Sequence, residues 1–342
     1  MKKHIYIYSP SGAVRDKAAF KRGVKRLQFL GHEVEVDKAA LASHQRFAGD
    51  DATRLAAIHR AAASGADVAL ISRGGYGLTR ILPGIRYKAV AKAIERGTQF
   101  VGMSDFTALQ MALLAKTGQM TWAGPALCEG FGVADKADAA DGHGLGAAAA
   151  APGSVANGPD DIMEDCFNDM ITGQGEGAGW RHGPEPLKGA IDYEADKSIA
   201  TRANGSFHIK DAILWGGNLA VLSSLVGTPY LPQVRSGILF VEDVAEHPYR
   251  IERMLTQLLH AGVLSAQKAL VFGQFTEYKL TAHDRGFKLQ TVVAWLRSRL
   301  AIPVLTNLPL GHVPTKVLLP VGKKVDMVGQ GRDLMILWGH TH

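Results

Sequence analysis

The stretch that decides the fold is Val101–Thr107, with the sequence VGMSDFT. The apolar residues that lead up to Val101 are typical of a buried strand. From Asp105 to Lys116 apolar side chains recur at helical spacing, so this segment predicts a helix. Ser104 therefore lies on a tight turn between a strand and a helix. Such a turn raises a hydroxyl above the sheet and places the next backbone N–H at a helix N terminus.

Two interpretations of Ser104 stay open on this stretch alone. Serine is a favoured N-cap residue, so Ser104 need do no more than begin the helix. Alternatively, Ser104 is a nucleophile and the N–H of Asp105 binds an oxyanion. The choice depends on whether a base and an acid follow elsewhere in the chain.

Strands and helices alternate around this turn. Strands are predicted at His4–Tyr8, Glu33–Val36, Asp67–Ser72 and Gln99–Met103, and helices at Lys17–Leu30, Ala52–Ala63 and Tyr87–Arg96. This alternation predicts an α/β fold with a parallel sheet covered on both faces. Ligands bind such sheets beyond the carboxyl ends of the strands, where three turns collect, at residues 11–12, 73–77 and 104–105.

The composition changes after Phe131. Ala134–Asp161 contains an alanine run and few side chains that could fill a core, so we predict a loop. A second, strand-rich α/β domain follows. Its strands are predicted at Lys188–Tyr193, Gly237–Val241, Ala269–Gly273, Pro303–Thr306, Lys316–Leu319, Lys324–Val328 and Leu334–Leu337, and its helices at Asn218–Val226, Pro248–Ala261 and Phe287–Leu300. We therefore divide the chain into a nucleophile domain (residues 1–132), a low-complexity loop and interdomain linker (133–186) and a C-terminal domain (187–342).

Composition limits the classes of function. The chain has 342 residues, of which 46% are hydrophobic and 20% charged, as expected of a globular protein with a core. Two cysteines are too few for a disulfide framework and favour a reducing compartment. No signal-peptide core and no membrane-length apolar run is visible, so we expect a cytoplasmic protein without membrane contact.

Charge and motif spacing limit the partners. The net charge of +6 suits acidic partners, but the basic residues are scattered, so we expect no nucleic-acid binding. No H-E-x-x-H motif and no paired Cys-x-x-Cys motif is present, so we expect neither a metal site nor a cofactor.

Three further motifs carry groups that could act with Ser104. Arg73–Gly77 (RGGYG) follows a buried strand, and its glycines either aim N–H groups at an anion or form a plain turn. Leu239–Asp243 (LFVED) ends in two acids, of which one can orient a histidine or begin a helix. Pro309–His312 (PLGH) places a histidine in a loop, where it is a general base or polar surface.

The order of Ser104, Glu242 and His312 is serine, acid, histidine, as in α/β-hydrolases. However, Gly102–Phe106 lacks the second glycine of the G-x-S-x-G motif, so a standard α/β-hydrolase is not expected.

In combination, the motifs resemble the LD-carboxypeptidase family along nearly the whole chain. The matching segments are Arg73–Gly77 with Arg80–Pro83, Gly102–Leu109, Trp215–Leu219, Gly227–Tyr230, Leu239–Asp243 with Pro248–Arg250, and Gly311–His312. The resemblance implies a flavodoxin-like N-terminal domain, a smaller swivelling β/α C-terminal domain and an active site between them. Three features depart from the family pattern: Ala134–Asp161 is longer than usual, Met103 replaces a frequent aromatic residue, and Val313 replaces a frequent glycine.

The resemblance also implies roles for residues. Ser104 is the nucleophile, Glu242 orients the histidine and His312 is the base of a serine carboxypeptidase. The N–H of Asp105, with that of Gly74 or Gly75, binds the oxyanion. Substrate contacts are expected from Arg73, Tyr76, Arg80, Trp215 and Asn218, although structural ion pairing is an alternative for the two arginines.

The implied activity is release of the terminal D-alanine from murein tetrapeptides, free or as muropeptides, in peptidoglycan recycling. Two alternatives stay open. One is a related serine peptidase that gives immunity to a peptide–nucleotide antibiotic, and the other is a protein that binds muropeptides without catalysis. A homodimer is one assembly that we consider.

Overall fold

Five parallel strands build the first sheet. They are β1 (His4–Tyr8), β2 (Glu33–Val36), β3 (Val68–Ile71), β4 (Gln99–Gly102) and β5 (Thr121–Ala123). The computed structural model describes residues 2–134, 158–183, 199–201 and 206–340. The strand order is β2-β1-β3-β4-β5, which is the order of flavodoxin-like folds. The predicted architecture of the N-terminal domain is therefore confirmed.

The helices of this domain begin and end close to the predicted positions. They are α1 (Lys17–Phe29), α2 (Asp51–Ala63), α3 (Leu78–Ile81), α4 (Tyr87–Glu95) and α5 (Thr107–Thr117). Asp16 and Asp50 cap α1 and α2, because their carboxylates accept hydrogen bonds from the N–H groups of Ala19 and Thr53. Each such cap stabilises its helix by about 1 kcal/mol.

The core of the first sheet lies on both of its faces. All four residues of β3 are fully buried, as are Ile5 and Ile7 of β1. Because helices cover both faces of a parallel sheet, its central strands have continuous apolar runs. Full burial of one such side chain contributes about 1.5–3 kcal/mol.

The second sheet is mixed. Its elements and those around it are α6 (Asp161–Thr172), β6 (Gly177–Arg181), β7 (Ile199–Thr201), β8 (Phe207–Asn218), α7 (Leu219–Ser224), β9 (Ile238–Val244), α8 (Pro248–His260), β10 (Ala269–Thr276), α9 (Leu289–Arg297), β11 (Val304–Leu305), β12 (Leu319–Val321), β13 (Lys324–Gln330) and β14 (Asp333–Leu337). Strands run in the order β11-β10-β9-β8-β13-β14-β6, and β7 pairs with β8. Neighbours from β8 to β11 are parallel and the others antiparallel, so the mixed α/β character of this domain is confirmed.

One strand connects the two parts of the chain. We predicted a strand at Lys316–Leu319 in the C-terminal domain. The observed strand is β12, which begins at Leu319. It joins the first sheet rather than the second, because it pairs antiparallel with β5. The residues before it close a loop, since the N–H of Val317 donates to the carbonyl of Pro309 at 2.8 Å.

The predicted linker contains regular structure where it is described. Residues 161–172 form α6, which is capped by Asp160 and Gly173 and buries Met163, Phe167 and Met170. These caps and this apolar spacing were readable in the sequence. Residues 135–157 and the predicted strand Lys188–Tyr193 lie outside the described residues. The domain limits and the swivel of the C-terminal domain stay predictions.

Candidate active site

Ser104 lies on a strained turn at the end of β4. Its φ is +63°, in the left-handed region that non-glycine residues avoid at a cost of about 1–2 kcal/mol. A short 3₁₀ turn, Ser104–Phe106, then leads into α5, where we predicted helix from Asp105. A Cβ on Gly102 would lie 2.7 Å from the ring of Phe106 and 2.8 Å from Ile71, so the turn requires glycine there. This geometry is that of a nucleophile turn.

The glycine turn after β3 packs directly on Ser104. A Cβ on Gly74 would lie 2.6 Å from Ser104 Cβ, 2.7 Å from Ser104 Oγ and 3.5 Å from the backbone nitrogen of Asp105. Gly75 instead borders Gly12, whose Cα would lie 3.2 Å from its added Cβ. Of the two predicted oxyanion glycines, Gly74 is therefore the one that borders Ser104.

The side chain of Asp105 joins three loops. Its Oδ2 accepts hydrogen bonds from Ser11 Oγ and, at 2.9 Å, from the N–H of Leu78. Burial raises the pKa of Asp105, and these hydrogen bonds and Arg54 partly offset that rise. The sequence predicted a role only for the N–H of Asp105. Its side chain anchors the turn of Ser104 to the loops after β1 and before α3.

Glu242 is buried and pairs with the partly buried His312. Glu242 is 2% exposed, and its Oε2 lies 2.8 Å from His312 Nδ1. A Cβ on Gly311 would lie 3.3 Å from Glu242 Oε2 and 2.9 Å from the carbonyl oxygen of Gln274, so only glycine fits beside the histidine. With Nδ1 turned to the carboxylate, Nε2 is the ring nitrogen left for a substrate or nucleophile.

The surroundings of His312 favour its charged form. Burial pulls the pKa of His312 down, but the carboxylate and hydrogen bond of Glu242 outweigh it, with help from Asp243 and Glu129. The net result is a pKa above the ordinary value of 6.5. An imidazolium at this position is therefore stabilised by the protein, as a general base requires after it accepts a proton.

The carboxylate of Asp243 accepts hydrogen bonds from groups other than His312. Its Oδ2 accepts from the N–H of Ala220 at 2.8 Å, and its Oδ1 accepts from Asn218 Nδ2 and the N–H of Val244, both at 2.9 Å. Burial, and then the charge of Glu242, raise the pKa of Asp243 to about 6. Asp243 thus caps the first turn of α7, and Glu242 is the acid that meets His312.

Two of the predicted substrate contacts lie in the interior. Trp215 is 1% exposed and its indole N–H donates to Gln267 Oε1 at 3.0 Å. Asn218 is 5% exposed, and its Nδ2 donates to Glu242 Oε1 at 3.3 Å as well as to Asp243. Both side chains therefore support the acid-bearing strand through internal hydrogen bonds, and their contact with a substrate stays a prediction.

The other predicted contacts are nearer the surface. Tyr76 is 46% exposed and lies beside Phe47. Arg80 is paired with Asp51 at 3.2 Å. Arg73 donates to the carbonyl of Ala13 at 3.2 Å and lies 3.5 Å from Glu129, a carboxylate that sequence analysis missed. Both arginines therefore have structural partners.

Ser104 and His312 belong to different domains and share no direct hydrogen bond among the described residues. Such contacts are often long in the absence of substrate. A cavity of about 600 Å³ borders the loop after His312 at Val313–Thr315, but Ser104, Glu242 and His312 are not among its described lining residues.

The described residues contain neither a metal-binding cluster nor a helix that could cross a membrane. The described ranges hold no group of three or more His, Cys, Asp and Glu side chains that could bind a metal ion. Among the helices within those ranges, none has both the length and the apolar character needed to cross a bilayer.

Comparison with known proteins places this geometry in a family. Residues 5–124 match the LD-carboxypeptidase N-terminal domain and residues 211–327 match the LD-carboxypeptidase C-terminal domain. The crystal structure of muramoyltetrapeptide carboxypeptidase from Oxalobacter formigenes is similar, with 34% identity, a TM-score of 0.77 and coverage of 99% of this chain and 100% of that chain.

Two relatives are similar in sequence over most of their length. A probable murein peptide carboxypeptidase of Bacillus subtilis is 27% identical over 88% of this chain and 81% of its own length. The microcin C7 self-immunity protein of Escherichia coli is 26% identical over 77% of this chain and 71% of its own length. Because family matches cover both halves and one relative matches end to end, the chain belongs to the LD-carboxypeptidase family of peptidases.

Proposed function

We propose that the protein is a serine LD-carboxypeptidase that releases the terminal D-alanine from murein tetrapeptides, free or as muropeptides. The observation that carries this proposal is the Glu242–His312 pair, 2.8 Å apart, in a chain whose Ser104 lies on a strained turn against Gly74. The named relatives support the substrate class. The proposal includes a cytoplasmic role in peptidoglycan recycling.

In the proposed reaction, His312 Nε2 takes the proton of Ser104, and the alkoxide attacks the carbonyl carbon of the amide that joins an L-configured residue to D-alanine. The N–H groups of Asp105 and Gly74 hold the oxyanion. Such a donor contributes on the order of 10²–10³ in rate. Glu242 stabilises the imidazolium.

Collapse of the tetrahedral intermediate breaks the amide bond. His312 gives its proton to the leaving amine, and D-alanine departs. Water, deprotonated by the same imidazole, then attacks the acyl-enzyme and restores the Ser104 hydroxyl. The side chains of Arg73 and Arg80 are the proposed contacts for substrate carboxylates, and the exposed Tyr76 is a further proposed contact, as are Trp215 and Asn218.

The test is product analysis on purified protein. A murein-type tetrapeptide that ends in D-alanine is incubated with the enzyme, and its diastereomer that ends in L-alanine serves as the control. Mass spectrometry should show loss of one alanine from the first peptide only, because inversion of the leaving residue turns its carboxylate away from its site. Equal cleavage of both peptides contradicts the assigned substrate class.

The two alternatives give different results in the same assay. A peptide–nucleotide conjugate is added as a third substrate, and its cleavage in preference to the tetrapeptide would indicate the immunity function. Binding of the tetrapeptide without any turnover would indicate a muropeptide-binding protein.

A further inference from the structure

The loop that carries His312 is closed by its own backbone. The N–H of Val317 donates to the carbonyl of Pro309 at 2.8 Å, so the loop begins and ends at one point. The N–H of Gln274 donates to the carbonyl of Leu310 at 2.8 Å and attaches the loop to β10. Thr276 Oγ1 donates to the carbonyl of His312 at 3.4 Å, and neither this hydrogen bond nor the two backbone hydrogen bonds reaches the carbonyls of Val313 and Pro314.

The side chain of Lys316 binds the residues directly after His312 from inside the loop. Its side chain is 2% exposed, and its ammonium donates to the carbonyl of Val313 and, at 3.3 Å, to that of Pro314. Within the described residues it forms no ion pair, so carbonyl oxygens are its hydrogen-bond partners. A buried ammonium is costly unless its donors are satisfied, so an apolar side chain would fill this space at lower cost.

Carboxylates from three separate parts of the chain stabilise the charge of the ammonium. Burial lowers the pKa of Lys316 to about 8, and Glu129, Asp160 and Glu242 oppose that fall. Glu129 follows β5, Asp160 caps α6 and Glu242 lies on β9. Asp160 also accepts a hydrogen bond of 2.7 Å from Thr315 Oγ1. The lysine is therefore charged at neutral pH and close to losing its proton.

We propose that Lys316 is a positioning residue, whose buried ammonium holds the carbonyls that follow His312 and thereby fixes the imidazole against Glu242. The inference rests on the proposed role of His312 as the base. It differs from a packing role, because packing needs the volume of the side chain and positioning needs its charge.

The first test compares Lys316→Met with Lys323→Met. Methionine keeps the length and removes the charge, and Lys323 is a matched control because its ammonium also donates to a carbonyl, that of His340, at 2.9 Å. Lys316→Met should lower kcat about 10–100-fold with KM within about twofold, since a small misplacement of a catalytic group costs about that much. Lys323→Met should leave both constants unchanged. A kcat of Lys316→Met within about twofold of wild type overturns the proposal.

The second test needs no substrate and no variant. The ¹⁵N resonances of the His312 imidazole are followed in the wild-type protein between about pH 7 and 9.5. In addition to the titration of His312 itself, they should show a second step near pH 8 as the ammonium loses its proton and releases the loop, and kcat should fall over that second step. A titration curve with a single step overturns the proposal, even if Lys316→Met fails to fold.

The two tests separate this inference from the proposed function. Absence of turnover on the murein peptide contradicts the proposed function, whereas the histidine titration still decides the role of Lys316. If the wild-type protein cleaves the peptide and Lys316→Met has the same kcat, only the role of Lys316 is contradicted.

Discussion

The backbone N–H of Asn218 donates a hydrogen bond of 3.0 Å to Thr107 Oγ1, and this contact joins the nucleophile helix to the acid-bearing strands. Thr107 begins α5, directly after the turn of Ser104. Asn218 lies opposite Glu242 in the β8–β9 pairing and donates to its Oε1 at 3.3 Å. A Cβ on Gly217 would lie 2.4 Å from Thr107 Oγ1, so glycine permits this approach. The turn of Ser104 and the side chain of Glu242 are thus set relative to each other by buried contacts.

The strain at Ser104 predicts a trade-off between stability and activity. Ser104→Gly should abolish turnover, because the nucleophile is lost, and should be more stable than Ser104→Ala by about 0.5–1 kcal/mol, because glycine tolerates positive φ. Chemical denaturation of both variants measures the difference. Equal stability of the two would show that the turn is not strained, and turnover by either would remove Ser104 from the mechanism.

The close approach of Gly74 predicts a catalytic defect from one added methyl group. Gly74→Ala should lower kcat by about 10²–10³, because its Cβ would displace the hydroxyl of Ser104 and disturb an oxyanion donor. Gly179→Ala is the matched control, since a Cβ there meets nothing closer than 3.6 Å. Steady-state kinetics on the tetrapeptide measure both. Activity of Gly74→Ala close to that of Gly179→Ala would contradict the proposed site.

The Glu242–His312 pair predicts a shift in the pH profile. Because the pKa of His312 lies above 6.5 and the base must be neutral, wild-type kcat/KM should fall as pH drops through that raised value. Glu242→Gln removes the carboxylate that raises the pKa of His312, so the acid limb should move to lower pH. In the same variant kcat should fall about 10²–10⁴-fold. An acid limb that does not move would show that Glu242 does not control the histidine.

The contacts of Asp243 predict a structural effect. The two carboxylate oxygens of Asp243 accept hydrogen bonds from three N–H donors. Asp243→Asn removes one of these oxygens, so a donor such as the N–H of Ala220 loses its partner. This loss should lower the free energy of unfolding by about 1–3 kcal/mol. The kcat of the folded variant should change much less than that of Glu242→Gln. Thermal unfolding and kinetics of both variants give the comparison. A larger loss of kcat in Asp243→Asn than in Glu242→Gln would show that Asp243, rather than Glu242, is the acid that supports the histidine.

Much of the architecture was predictable because it depends on local patterns. Apolar runs, helix caps and glycine turns act over a few residues, so they predicted the parallel sheet, the turn at Ser104 and the glycine loop before Tyr76. Family resemblance then predicted the roles of the serine, the acid and the histidine, and the family is confirmed. The roles of the individual residues stay proposals until the variants are measured.

The tertiary structure decided what depends on contacts between distant residues. Glu242 and His312 are 70 positions apart in the sequence, yet their side chains are in contact. Asp243 instead accepts a hydrogen bond from the N–H of Ala220 in α7, so Glu242 is the acid that contacts the histidine. Trp215 and Asn218 proved to be interior residues, and β12 crosses to the first sheet. The buried ammonium of Lys316 had no signal in the sequence, because burial depends on the whole fold. The sequence determined the local elements, and packing among them decided which polar groups meet.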